Sequence, residues 1–155
     1  MSERDPPLFT SESVTEGHPD KLCDQISDAI LDRFLQQDPY SGVITECAVS
    51  TAIVFIAARF ASQASVDMPT VARQVISQVG YDQPAFNSKT CSIVTSLREL
   101  PEEDRRTFHE HELSDQEIEQ ITVKNQVTVF GFACDQTPAL LPFPIWLAHR
   151  LARRL

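Results

Sequence analysis

No window of this chain of 155 residues approaches the roughly 18 consecutive apolar residues that a membrane-spanning helix requires. The polar start MSERDPP also lacks the charged-then-apolar order of a secretory leader. No membrane partner is expected, and a cytoplasmic location is the expectation. Positive charge is scarce as well: 13 Lys and Arg stand against 22 Asp and Glu, a formal net charge of −9. Nucleic acids and anionic membranes reward clustered basic side chains, so nucleic acid is not an expected partner either. An anionic ligand would need a local positive site or a bridging metal ion. The four cysteines, Cys23, Cys47, Cys91 and Cys134, form no CxxC pair, which argues against a zinc knuckle or a dithiol redox motif. Their apolar flanks suit buried free thiols. There is no internal repeat.

What is present is an ordinary globular composition, 42% hydrophobic and 23% charged, sized for one domain over residues 1–155. Residues 8–14 (LFTSESV) are rich in strand formers and read as a first strand. Pro19 pre-sets a first helical turn, and Leu22, Ile26, Ile30, Leu31, Phe34 and Leu35 give the helix that follows an apolar face. Asp24, Asp28 and Asp32 form an acidic stripe on another face, read as solvated surface. After the turn residues Asp38 to Gly42, the stretch Val43 to Ala58 is dense in Val, Ile and Thr and reads as a long strand continuing to an edge or bulge. A second helix is signalled at both ends, by Asp67 as cap with Pro69 in the first turn and by Gly80 as the stop. Thr90 to Ser96 alternates like a third strand.

The character then changes. Residues 98–119 carry nine acidic side chains, three arginines and two histidines with few apolar anchors, so an acidic variable insertion is placed at about 97–122. Ser114 and Glu117 fit a capping box, predicting a short helix over 115–121. Val127 to Ala133 is a fourth strand candidate, and a last helix runs from about Ile145. That helix stops at Leu155 with no capping glycine, which reads as a cut through a larger protein. The expected fold class is α+β: an antiparallel sheet of about four strands with two to three helices packed on one face.

The stretch most suited to chemistry is Ser11 to Lys21, SESVTEGHPDK. Unpaired amides at a helix start attract phosphate oxygens, His18 can donate a further hydrogen bond, and Gly17 lets backbone approach closely. Asp20 alone would repel a phosphate, but suits a Mg²⁺ ion lying between it and the ligand. The plainer alternative is a capped helix start with an acid favoured by the dipole. Physics alone leaves both open. Elsewhere, His109 and His111 in the acidic segment read as solvated, and His149, Arg150, Arg153 and Arg154 as a helix end complementing its dipole.

SESVTEGHPDK followed by CDQISDAILD is similar to the opening of S-adenosylmethionine synthases (methionine adenosyltransferases), and FGFACDQTPALLPFPIWLAHRLARRL is similar to a later segment of that family. The likeness extends over most of the chain except about residues 97–122. It implies an α+β unit built around an antiparallel sheet. It also implies an activity in which methionine sulfur attacks the ribose C5′ of ATP and triphosphate leaves and is hydrolysed, with Mg²⁺ and K⁺ assisting. Position by position, it implies His18 beside the ATP phosphates, Asp20 as a Mg²⁺ ligand, Glu46 as a K⁺ ligand and Gln126 near the substrates. The partners implied are ATP, methionine and a second subunit against the sheet face, in a homo- or hetero-oligomer.

Departures from the family pattern accompany these matches. Arg59 stands where the family has an acid that contacts methionine, so charge is reversed there. Lys124-Asn125-Gln126-Val127 stands where the family has a Gly-Asp-Gln-Gly turn, and only Gln126 is kept. Three expectations follow: a piece of a synthase, a degenerate subunit that pairs with a full-length synthase, or a free-standing nucleotide-binding module.

Overall fold

The computed structural model describes residues 8–101, 113–121 and 126–155. The chain divides into two compact units, Met1–Glu16 with Asn125–Leu155, and Gly17–Lys124.

In the second unit, α1 (Pro19–Gln37) buries Leu22, Ile26, Ile30 and Phe34, one residue per turn and all on one stripe. Leu35 lies about 100° further round and is 38% exposed, so the buried face is narrower than the apolar pattern suggests. The chain then forms a hairpin of β1 (Gly42–Ser50) and β2 (Ile53–Ala61), antiparallel, with Ser50 opposite Ile53. The long strand expected over 43–58 is therefore folded back on itself. The turn falls at Thr51 and Ala52, and Thr51 takes a left-handed φ of 54° that β-branched residues rarely adopt.

Helix α2 (Met68–Val79) starts on Asp67, whose side chain accepts from Thr70 N–H, and ends on Gly80 in the left-handed conformation at φ 95°. Both ends are where the sequence places them. A small pair of strands, β3 (Asp82–Gln83) and β4 (Phe86–Asn87), follows, and then β5 (Ser92–Glu99). The main sheet has the order β1-β2-β5. Its β2-β5 pair is parallel, with Val54 opposite Ile93, because α2 carries the chain back to the start side of the sheet before β5 begins. The architecture is α+β as expected, with a mixed rather than purely antiparallel three-stranded sheet. A short helix, α3 (Asp115–Glu119), begins with the expected capping box between Ser114 and Glu117.

The core lies on one side of the sheet. The α1 stripe meets Val54, Ile56 and Ala58 of β2 and Met68, Val71, Ala72, Val75 and Ile76 of α2. Each fully buried aliphatic side chain contributes about 1.5–3 kcal/mol relative to exposure. Asp38, only 4% exposed, closes the end of α1. Its carboxylate accepts from Tyr40 N (3.1 Å), Ser62 Oγ (3.1 Å) and Gln63 N (2.9 Å), tying the helix end to the chain leaving β2.

The opposite face is the one that α1 and α2 leave uncovered. Ile44, Ile53, Phe55 and Val94 on it are 41% to 49% exposed.

In the first unit, α4 (Phe143–Ala152) has no buried residue. Thr137 is buried and organises the turn before it, donating from Oγ1 to Leu141 O (2.8 Å) and accepting from Leu141 N (3.2 Å). The stretches expected as strands at 8–14 and 127–133 have irregular backbone. Val127, Val129, Phe130 and Phe132 are 76% to 95% exposed. A strand is stable only with a neighbour to share its hydrogen bonds, and among the described residues neither stretch has one.

Candidate functional site

The helix start that the sequence singles out has a defined geometry in the second unit. His18 is the N-cap of α1, with extended backbone (φ −62°, ψ 135°). Its Nδ1 accepts from Asp20 N–H at 3.2 Å, while its carbonyl accepts from Leu22 N at 2.8 Å. Pro19 beside it lacks the N–H that would otherwise go unused at this position. An imidazole that accepts at Nδ1 carries its proton on Nε2 when neutral, so Nε2–H is left as a donor.

The Asp20 side chain is 93% exposed and that of His18 40%, with Nδ1 and Oδ2 4.0 Å apart. Asp20 is the acidic residue of the first turn, where the helix dipole favours negative charge. The site thus offers one ring N–H, one open carboxylate and the positive end of a helix of 19 residues.

The entry to α1 is held by a residue to which the sequence reading gave no role. Tyr81 OH donates a short hydrogen bond to Gly17 O, and the Tyr81 ring stands edge-on to Phe86 at 4.9 Å and 87°. A methyl group added at Gly17 would lie 3.7 Å from the Tyr81 ring, an ordinary contact. The protein neighbours of Gly17 therefore leave room for a side chain there. The position of Tyr81 next to Gly80, the stop of α2, is the signal that could have found it.

The other expected site residues lie elsewhere. Glu46 is exposed on β1, opposite Ala57, and makes no ion pair with His18 among the described residues. It lines an open groove of about 500 Å³ together with Cys23, Asp24, Ser27, Asp28, Thr45 and Cys47. Burial pushes the thiols of Cys23 and Cys47 above the ordinary cysteine range, the Val49 backbone and Ser27 respectively opposing it by hydrogen bonding. Both are therefore poor nucleophiles at neutral pH. All four cysteines are free, and Cys91 is the one that is fully buried.

Arg59 is exposed on β2, between Ile44 of β1 and Arg98 of β5. Gln126 belongs to the first unit and is exposed in irregular backbone. Asn125, His109 and His111 lie outside the described residues. In α4, His149 Nδ1 is 2.8 Å from Ser13 Oγ, and Arg150 lies over the Trp146 ring at 4.8 Å. Among the described residues no three His, Cys, Asp or Glu gather as a metal centre, and no helix is long and apolar enough to cross a membrane.

Comparison with known proteins gives this geometry a context. The family model for the S-adenosylmethionine synthetase N-terminal domain matches residues 7–101, and that for the central domain of the same enzymes matches residues 120–155. Both leave out residues 102–119, within the acidic segment. An S-adenosylmethionine synthase of Gloeothece citriformis (strain PCC 7424) is 47% identical over 155 residues, covering 96% of this chain and 37% of that protein. The chain thus spans little more than a third of the length of that relative. With the N-terminal model alone covering more than half of its residues, the chain belongs to the S-adenosylmethionine synthase family.

Proposed function

We propose that this chain supplies the polyphosphate-binding helix start of an S-adenosylmethionine synthase, which converts ATP and methionine to S-adenosylmethionine, phosphate and diphosphate, and that it does not complete the reaction alone. The observation that supports this reading is the arrangement at α1, where His18 satisfies Asp20 N–H through Nδ1 and keeps Nε2–H for a phosphate oxygen beside an open carboxylate. The helix dipole adds to the attraction for phosphate.

Asp20 suits Mg²⁺, which is commonly held by one or two protein carboxylates, substrate phosphates and water rather than by a full protein cage. When bound, Mg²⁺ offsets charge on a leaving triphosphate. Glu46 offers a hard oxygen donor for K⁺ on the open sheet face. The exposed apolar residues of that face, Ile44, Ile53, Phe55 and Val94, suit burial against a second subunit of the same family. Gln126 is assigned to substrate contact by family resemblance alone, and a cytoplasmic location fits these substrates.

A second reading is a non-catalytic partner subunit or nucleotide-binding module derived from a synthase. It is favoured by Arg59, whose positive charge opposes a methionine ammonium group.

The test is formation of S-adenosylmethionine by the purified chain, alone and mixed with a full-length synthase, alongside titration with Mg-ATP. The expected result is Mg-ATP binding without turnover, weakened roughly ten-fold in His18→Ala or Asp20→Asn. Synthesis by the chain alone at a rate typical of whole enzymes would refute the incomplete-site reading. A changed rate in the mixture would establish the partner-subunit reading over the first.

A further inference from the structure

The parallel pairing of β2 with β5 sets Arg59 directly opposite Arg98. Residues opposite one another in a ladder point to the same side. On this side the burial alternation along β1 and β2 puts Ile44, Glu46, Ile53, Phe55 and Arg59, away from the core residues Val54, Ile56 and Ala58. Ile93 packs on the core and fixes the other side of β5, so Arg98, five residues on, shares the open face. Both arginines are exposed.

Three other described arginines are held, whereas Arg153 and Arg154 in the first unit are not. Arg33 donates to Gln36 and Gln74, Arg73 to the Ser88 and Cys91 carbonyls, and Arg150 lies on Trp146. Arg59 and Arg98 have no hydrogen-bond or ion-pair partner among the described residues. Among the described strand residues of that face the acid is Glu46. It stands opposite Ala57, diagonal to Arg59, and makes no ion pair with it among the described residues.

Like charges directly opposed across a strand pair destabilise it. An anion held between the two guanidinium groups turns that repulsion into a shared attraction. Each guanidinium presents a planar fork of parallel N–H donors. A single carboxylate has two oxygens and fills one fork, whereas a phosphate group has three free oxygens and about −1.5 to −2 charges at neutral pH, enough for both. The local excess of positive charge is also set in a chain of net charge −9, so it marks this end of the face as distinct.

We propose that Arg59 and Arg98 together form an oxyanion site on the open face of the sheet, for a phosphate group rather than a monocarboxylate. The site is separate from the α1 start, and it stands whether or not the synthase reading holds.

The experiment is NMR observation of the arginine Nε–H signals in the full chain, titrated with inorganic phosphate, with phenyl phosphate and with acetate. Mg²⁺, ATP and methionine are absent, and chloride holds ionic strength constant. The Arg59 and Arg98 signals should move together with one affinity for phosphate and respond only weakly to acetate. Stronger binding of phenyl phosphate than of inorganic phosphate would point to the phosphoryl group of a larger substrate, and equal binding to free phosphate. Arg59→Gln should weaken phosphate binding at Arg98 roughly ten-fold, and Arg98→Gln should do the same at Arg59. His18→Ala should leave both unchanged, which separates this site from the helix start. The proposal is overturned if phosphate moves neither signal beyond the chloride control, if acetate binds as well as phosphate, if each arginine responds equally without the other, or if His18→Ala removes the response.

Discussion

Thr45 presents a measurable conflict between stability and polarity. It stands on β1 opposite Ala58, and its Oγ1 is buried with no hydrogen-bond partner among the described residues. A hydroxyl buried without a partner costs about 1–3 kcal/mol. Thr45→Val removes that oxygen while keeping a β-branched shape that suits a strand. Because Thr45 lines the open groove, the lower end of the range applies, and the variant should gain about 1 kcal/mol. For a unit of this size that raises the melting temperature by about 4–8 °C. Thr45→Ser is the control: it keeps the hydroxyl, drops a methyl and should lose about 0.8 kcal/mol. Urea unfolding gives both numbers, as midpoint shifts at constant slope. A valine variant less stable than the parent by more than about 0.5 kcal/mol, with unchanged slope, would show that the hydroxyl is satisfied in solution and would refute the reasoning.

Three further perturbations test other parts of the molecule. Ile26→Ala, at a site with 0% exposure, should cost about 2–5 kcal/mol, and Leu35→Ala on the same helix, 38% exposed, less than about 1 kcal/mol, both read by urea unfolding. Asp38→Ala should cost about 3 kcal/mol, because Ser62 Oγ, Gln63 N and Tyr40 N all lose their acceptor, and Asp38→Asn should recover part of it. The Asp67 carboxyl is held below its ordinary value of 3.8 by the Thr70 hydroxyl and amide. A lowered folded value means that its contribution is complete above pH 3.8 and lost as the pH falls through the folded value. Asp67→Asn should therefore flatten the acid limb of a stability-against-pH curve below that pH.

The legible parts of this fold are those whose signals are local. Asp67, Pro69 and Gly80 mark α2 because a cap, a fixed φ and a left-handed stop act within a few residues of themselves. The Ser114 and Glu117 box is local in the same way. The hairpin was not legible because Thr51 and Ala52 carry none of the residues that favour a positive φ; the sheet, not the turn, sets that conformation. The parallel pairing of β5 was also hidden, since strand direction depends on where α2 returns the chain.

The candidate site divides along the same line. His18 and Asp20 are two positions of chain apart and act through one helix start, so both the sequence and the structure bring them together. Arg59 was visible in the sequence as a reversed charge, but its neighbour was not. Arg98 lies 39 positions later, and only the register of β2 with β5 sets it opposite. Charge reversal at one position reads as loss of a ligand contact. Two arginines paired in register, with no ion-pair partner among the described residues, read as a contact of another kind. The sheet register, rather than either residue type, is what carries that difference.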